Sequence, residues 1–316
     1  MKVLVSNISE SAKVILEAKN FEVLEVKVAQ NQLENYINEN AVDVIIVDGS
    51  VEIQEEIIEN CTSLKLIAST TNSTENIDID YAFNNGLQVI KTNSATANAQ
   101  AELVFAHLFG LARFLHQSNR EMPLEGDFRF RDLQKAFTGG IELRGKTLGI
   151  IGFDTIGQQV AKIAIGLGMK VLAFDNQITE APIELTFFNG QKTTLIIETS
   201  PIESIFGEAD FISIHETNQE EYLITAKEFE KMKTGVGIIN IAKGGIINEV
   251  DLVNAIKEGK VQFAGLDVFE TTPKPAVQLL MNPELSLSPS IASSTIESKI
   301  NVDEELARKI VRLLKE

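Results

Sequence analysis

The residues of this sequence that come nearest to a chemical task are Gly149-Ile150-Ile151-Gly152-Phe153-Asp154-Thr155-Ile156-Gly157. They follow an apolar run and open a helix-like pattern, the setting in which a G-x-G-x-x-G turn receives a dinucleotide. The chemistry there is anion binding. Glycines let the backbone come close, and free amides at a helix start point at the pyrophosphate. Asp175 stands 23 positions after Gly152, where an acid bonds ribose hydroxyls. Alone, two glycines and an acid are a weak signal, because helix-opening glycines are common. Other reactive residue types are scarce: the histidines are His107, His116 and His215, and the one cysteine is Cys61. None of them sits at metal-ligand spacing, and His107 and His116 read as packed or partly exposed side chains.

Two series of alternating strand and helix patterns must position these residues. The first runs Lys2–Val5 (strand), Ser11–Ala18 (helix), Phe21–Val26, Val42–Val47, a helix near 52–59, then Leu64–Ala68. The second has strands at Lys146–Ile151, Lys170–Phe174, Asp210–Ile214, Val236–Ile241 and Gln262–Leu266, with a helix over Ile156–Leu167. Strands separated by helices imply βαβ units and parallel sheets covered on both faces. Within the second series, Ile183–Phe188, Asn189-Gly190 and Gln191–Ile197 read as a surface hairpin, with Asn-Gly supplying the two positive φ angles of a type I′ turn. Ala101–Leu115, AELVFAHLFGLARFL, predicts a helix apolar on nearly every face, which must be buried between domains or subunits.

A length of 316 residues suits two domains, and 44% hydrophobic with 23% charged residues is a globular profile. The net charge of −17 speaks against nucleic acid or an anionic membrane as partner. The lone Cys61, the absence of a leader pattern after Met1-Lys2 and the lack of any long apolar run predict a cytoplasmic protein.

Three further stretches are more specific. Leu143-Arg144-Gly145-Lys146-Thr147-Leu148-Gly149-Ile150-Ile151-Gly152-Phe153, Asn240-Ile241-Ala242-Lys243-Gly244-Gly245 and Gly265-Leu266-Asp267-Val268-Phe269-Glu270 stand in order along the chain. In these the sequence resembles, essentially end to end, the D-2-hydroxyacid dehydrogenases, most of all the short-form D-3-phosphoglycerate dehydrogenases. The resemblance implies two Rossmann-like or flavodoxin-like doubly wound parallel-sheet domains with a cleft between them. Residues 1–97 with 293–316 would form the substrate domain, and 98–292 the NAD-binding domain. It implies no C-terminal regulatory domain, and a homodimer formed through the 101–115 helix. Cofactor-side positions would be Gly152, Asp154, Thr155, Ile156, Gly157, Asp175, His215, Ala242 and Asp267.

Active relatives hold the substrate carboxylate with an Arg, and move the hydroxyl proton with a His paired to a Glu. Here the Arg position is Lys243, the Glu position Thr272 and the His position Ser290. Lysine keeps the charge but loses the two-pronged fork. A serine hydroxyl is no base near neutral pH without a neighbour to activate it. In the substrate loop Ser69 replaces an Arg, and Thr71 and Ser73 replace glycines on either side of Asn72. Asp154 replaces the middle glycine of the phosphate turn and Thr155 the Arg after it, which adds bulk and like charge beside a pyrophosphate. The expectation is therefore weak or absent NAD binding and a pseudoenzyme with a binding or regulatory role, as a homodimer or paired with an active paralogue. The alternative is a working NAD-dependent oxidoreductase on a small 2-hydroxy acid such as 3-phosphoglycerate.

Overall fold

The computed structural model describes residues 1–71, 76–92, 94–216 and 221–315, and the chain divides into two compact units, 1–96 with 294–316 and 97–293. In the first unit the order is β1 (Lys2–Val5), α1 (Glu10–Glu17), β2 (Glu22–Glu25), α2 (Leu33–Asn40), β3 (Val44–Val47), α3 (Glu55–Asn60), β4 (Leu66–Ser69), α4 (Ile79–Asn84) and β5 (Gln88–Lys91). The five strands are parallel in the order β2-β1-β3-β4-β5. Alternation along the strands splits the core in two. Val3, Val5, Val44 and Ile46 face one layer, and Leu4, Ile45, Val47 and Ile67 the other, so all of β3 is buried. The edge strand β5 escapes a reading by apolar runs because its ends, Gln88 and Lys91, are polar.

The second unit runs α5 (Ala97–Ala112), α6 (Leu115–Glu125), α7 (Phe130–Ala136), β6 (Thr147–Ile151), α8 (Thr155–Gly166), β7 (Lys170–Phe174), β8 (Glu180–Thr186) and β9 (Lys192–Glu198). It continues through α9 (Ile202–Glu208), β10 (Phe211–Ile214), α10 (Ala226–Lys231), β11 (Val236–Asn240), α11 (Glu249–Lys257), β12 (Val261–Leu266), α12 (Val277–Leu280) and β13 (Leu285–Leu287). The helix α13 (Ile296–Lys315) then completes the first unit, laying Val302, Leu306 and Ile310 against Val3 and Val44. The six-stranded sheet is parallel, in the order β13-β12-β11-β10-β6-β7. The strand order reverses between β6 and β10, and in open α/β sheets ligand crevices form beyond the strand ends at such a point. No helix among the described residues is long and apolar enough to cross a membrane.

Two sequence expectations are corrected here. The apolar helix does not run from 101 to 115. It ends at Ala112, whose carbonyl accepts the Ile141 amide at 2.9 Å instead of continuing the helical ladder, and Phe114 turns the chain at φ +54° before α6 begins. The hairpin forms, with Ala181 and Ile183 buried, but its turn is not type I′. Of Asn189 and Gly190 only Gly190 has positive φ, at +83°. Gly190 donates to the Phe187 carbonyl, and the Phe187 amide donates to the Gln191 carbonyl. The loop is thus three residues long, a type I turn closed by a left-handed glycine.

Candidate functional site

The turn from β6 into α8 is built by two glycines whose room is needed by the protein's own backbone. A Cβ on Gly152, which lies at φ +89°, would stand 2.7 Å from the Glu216 nitrogen and 2.8 Å from the His215 carbonyl carbon. A Cβ on Gly157 would stand 2.2 Å from the Gly152 oxygen. Between them Asp154 caps α8: its carboxylate accepts the amides of Ile156 at 3.0 Å and Gly157 at 3.4 Å. An aspartate at this place is a strong helix cap, and it puts a negative charge on the amides that otherwise form an anion site.

Asp175, just past β7, is also engaged. One oxygen accepts the Phe153 amide at 2.7 Å, and the other accepts Gln177 and Ile178 at 2.8 and 3.0 Å. Burial pushes its carboxyl up, but the three amides outweigh this and hold it below the usual carboxylate range. His215 follows β10, and its side chain is buried at 4% exposure, with Nε2 2.8 Å from the Ser213 hydroxyl. Burial drives its pKa down to about 3, so the ring is neutral at ordinary pH. His215, read from the sequence as a cofactor-side position, lies on the turn that packs against Gly152, with its ring buried.

Ala242, Lys243, Asp267, Thr272 and Ser290 follow the ends of β11, β12 and β13. Asn240 shapes the first turn: its side-chain oxygen accepts the Ala242 amide at 3.1 Å, and its side-chain nitrogen donates to the Lys243 carbonyl at 3.0 Å. The Lys243 and Thr272 residues are exposed. Gly244 lies against the β12 side, where a Cβ would fall 1.9 Å from the Phe269 oxygen. Gly244→Ala is therefore expected to cost about 1–3 kcal/mol, since backbone, not a flexible side-chain end, must give way; urea denaturation checks it, and an unchanged midpoint would refute this packing. Beside it, Glu249 and Glu270 each accept the other's backbone amide, at 2.8 and 2.9 Å, a pairing no motif announced.

Asp267 is 1% exposed, and its carboxylate is filled from within. It accepts the Ser288 hydroxyl at 2.5 Å, the Ile291 amide at 2.9 Å and the Ala292 amide at 2.9 Å. Its carbonyl accepts the Ser290 amide at 2.9 Å, and Ser290 itself is exposed at φ +58°. Ser69 and Thr71 belong to the other unit, at the end of β4, where their hydroxyls lie 3.0 Å apart. Asn72 and Ser73 lie outside the described residues. Among the described residues no three His, Cys, Asp or Glu side chains cluster as a metal site would need.

Residues 105–292 match the family D-isomer specific 2-hydroxyacid dehydrogenase, NAD binding domain. The chain is 34% identical over 310 residues to hydroxypyruvate reductase of Thermotoga maritima, covering 96% of this chain and 95% of that protein. It is 34% identical over 319 residues to D-3-phosphoglycerate dehydrogenase of Archaeoglobus fulgidus, covering 100% of this chain but only 58% of that relative's length. Among solved structures, the TT0316 protein of Thermus thermophilus is similar with a TM-score of 0.75 and 25% identity, covering 100% of this chain and 97% of that one. The D-mandelate dehydrogenase of Rhodotorula graminis shares the fold, with a TM-score of 0.81 at 22% identity over 98% of this chain and 93% of that one. By the matched NAD-binding domain and by identity over nearly the whole chain, this protein belongs to the D-isomer-specific 2-hydroxyacid dehydrogenases.

Proposed function

We propose that this chain is a non-catalytic member of its family, a pseudoenzyme on a D-3-phosphoglycerate dehydrogenase scaffold, with a binding or regulatory role and weak affinity for NAD(H). The observation that carries this reading is Asp154. Its carboxylate already accepts the Ile156 and Gly157 amides that a pyrophosphate would take, so the residues at this turn do not fit that group. A bound pyrophosphate would have to displace the cap and then sit beside its negative charge. The acids Asp175 and Asp267 support the same reading, because both are satisfied by internal donors.

Calorimetry with NADH tests this directly. Wild type is expected to bind poorly, and Asp154→Gly to bind on the order of tenfold or more tighter, since the charge leaves and the amides are released. Wild-type binding as tight as that of an ordinary dehydrogenase would overturn the reading. Where binding is measurable, NADH should be preferred to NADPH, because Asp175 repels a 2′-phosphate.

The same reading includes a cytoplasmic homodimer joined through residues 101–115. Phe109 is 45% and Leu115 62% exposed on the single chain, and Met122, Leu124, Phe128 and Phe130 add further exposed apolar surface nearby in sequence. Surface of this kind marks an interface more often than bare solvent contact. Phe109→Glu is expected to shift the dimer to monomer at micromolar concentration in light scattering. A stable wild-type monomer there would remove the homodimer and leave an active paralogue as the candidate partner.

A further inference from the structure

A buried hydrogen-bond chain links α5 to the segment after β13. His107, 5% exposed, lies between two serines: Nδ1 is 2.8 Å from the Ser286 hydroxyl and Nε2 is 3.0 Å from the Ser288 hydroxyl. Ser288 in turn donates to the Asp267 carboxylate at 2.5 Å. The direction of every proton follows. A carboxylate only accepts, so the single Ser288 proton points to Asp267, and Ser288 can meet His107 only as an acceptor. Nε2 therefore carries a ring proton, and because burial keeps the ring neutral at pH 7, Nδ1 accepts from Ser286. Close packing holds the ring in place, because a Cβ on Gly265 would stand 2.8 Å from the Cβ of His107. Only a glycine in β12 lets α5 approach so near.

At the far end, Asp267 holds the amides of Ile291 and Ala292, while its carbonyl takes the amide of Ser290. Ser290 is thereby kept at φ +58°, a conformation disfavoured for any residue with a side chain and stable only where its surroundings dictate it. We infer that His107 is a positioning residue: through Ser288 it orients the Asp267 carboxylate on the 291–292 amides, and so sets where the side chain at position 290 stands. This goes beyond the functional reading above, and holds whether or not the chain turns over a substrate.

Amide hydrogen exchange tests it on the full chain. His107→Phe keeps the bulk of the ring but ends the chain of protons, and should speed exchange at Ile291 and Ala292 about tenfold or more relative to Ile239 in β11. Ser288→Ala cuts the same chain without touching α5 and should reproduce the effect. His107→Gln should restore protection, since its side-chain N–H can donate to Ser288. Nitrogen-15 spectra of the wild-type ring should show the proton on Nε2. Unchanged exchange at 291 and 292, equal acceleration at Ile239, failure of the Gln variant to restore protection, or a proton on Nδ1 alone would each overturn the inference.

Discussion

Given NADH and the keto acid of 3-phosphoglycerate, or NAD and 3-phosphoglycerate itself, the wild-type protein is expected to give no turnover above background. Hydride can leave an alcohol carbon only as the hydroxyl proton departs, so a base must touch that oxygen. Position 290 offers a serine and position 272 a threonine, neither able to accept a proton near neutral pH. The neutral ring of His215 is no substitute, being buried on Ser213 with its pKa near 3. Loss of general acid–base catalysis alone is worth about 10²–10⁴-fold. On the proposed reading Lys243 stands where a forked guanidinium would hold the carboxylate, and the weaker positioning expected of it compounds the first deficit. Restoring His at 290 and Glu at 272 should consequently fail by itself, until Asp154→Gly, Lys243→Arg and changes in the 69–73 loop accompany it. Wild-type turnover of about 1 s⁻¹ or more, in the ordinary enzyme range, would sink the pseudoenzyme reading.

Acid should destabilise the fold through His215, beginning well above the pH at which most carboxylates protonate. Burial lowers the folded pKa to about 3 from an ordinary value of 6.5. Between those values the unfolded chain binds a proton that the folded chain refuses, so stability is fully present above pH 6.5 and falls as pH drops toward 3. Each pH unit in that window removes about a factor of ten from the folding equilibrium. His107, whose pKa burial also lowers, adds in the same direction. Glu249 and Asp303, raised by burial, act in the opposite sense, so the comparison must be between wild type and one variant. His215→Gln should lie below wild type in urea stability at pH 7 and close most of that gap at about pH 5, as the wild-type advantage titrates away. Parallel curves for the two proteins would mean that the His215 ring takes up its proton without cost.

How far these features were legible from the chain itself varies with the reach of the interactions behind them. Val42–Val47 announces a buried parallel strand because a local apolar run suffices for one. Asn189-Gly190 announces a hairpin, although its strands fall at Glu180–Thr186 and Lys192–Glu198 rather than 183–188 and 191–197. The ordered motifs around Gly152, Lys243 and Asp267 carried the family likeness, because residues that shape a turn or meet a ligand recur at set spacings. The residue types at 243, 272 and 290 were equally plain, and their reading as substituted catalytic positions is what the family likeness implies. Other features depended on distant partners. The end of α5 at Ala112 is set by the Ile141 amide, and no residue within the helix signals it. The turn class at Asn189-Gly190 depends on which strand residues pair across it, and that register is a property of two segments together. Asp154, read as an obstruction, is also a helix cap, which required the geometry of the amides of Ile156 and Gly157. His107 read as a packed histidine because its serines lie 179 and 181 positions away. Local propensity acts over a few residues and is visible in sequence. Where a buried polar group finds its partner is decided by the sheet order, which alone brings α5 over β12 and β13.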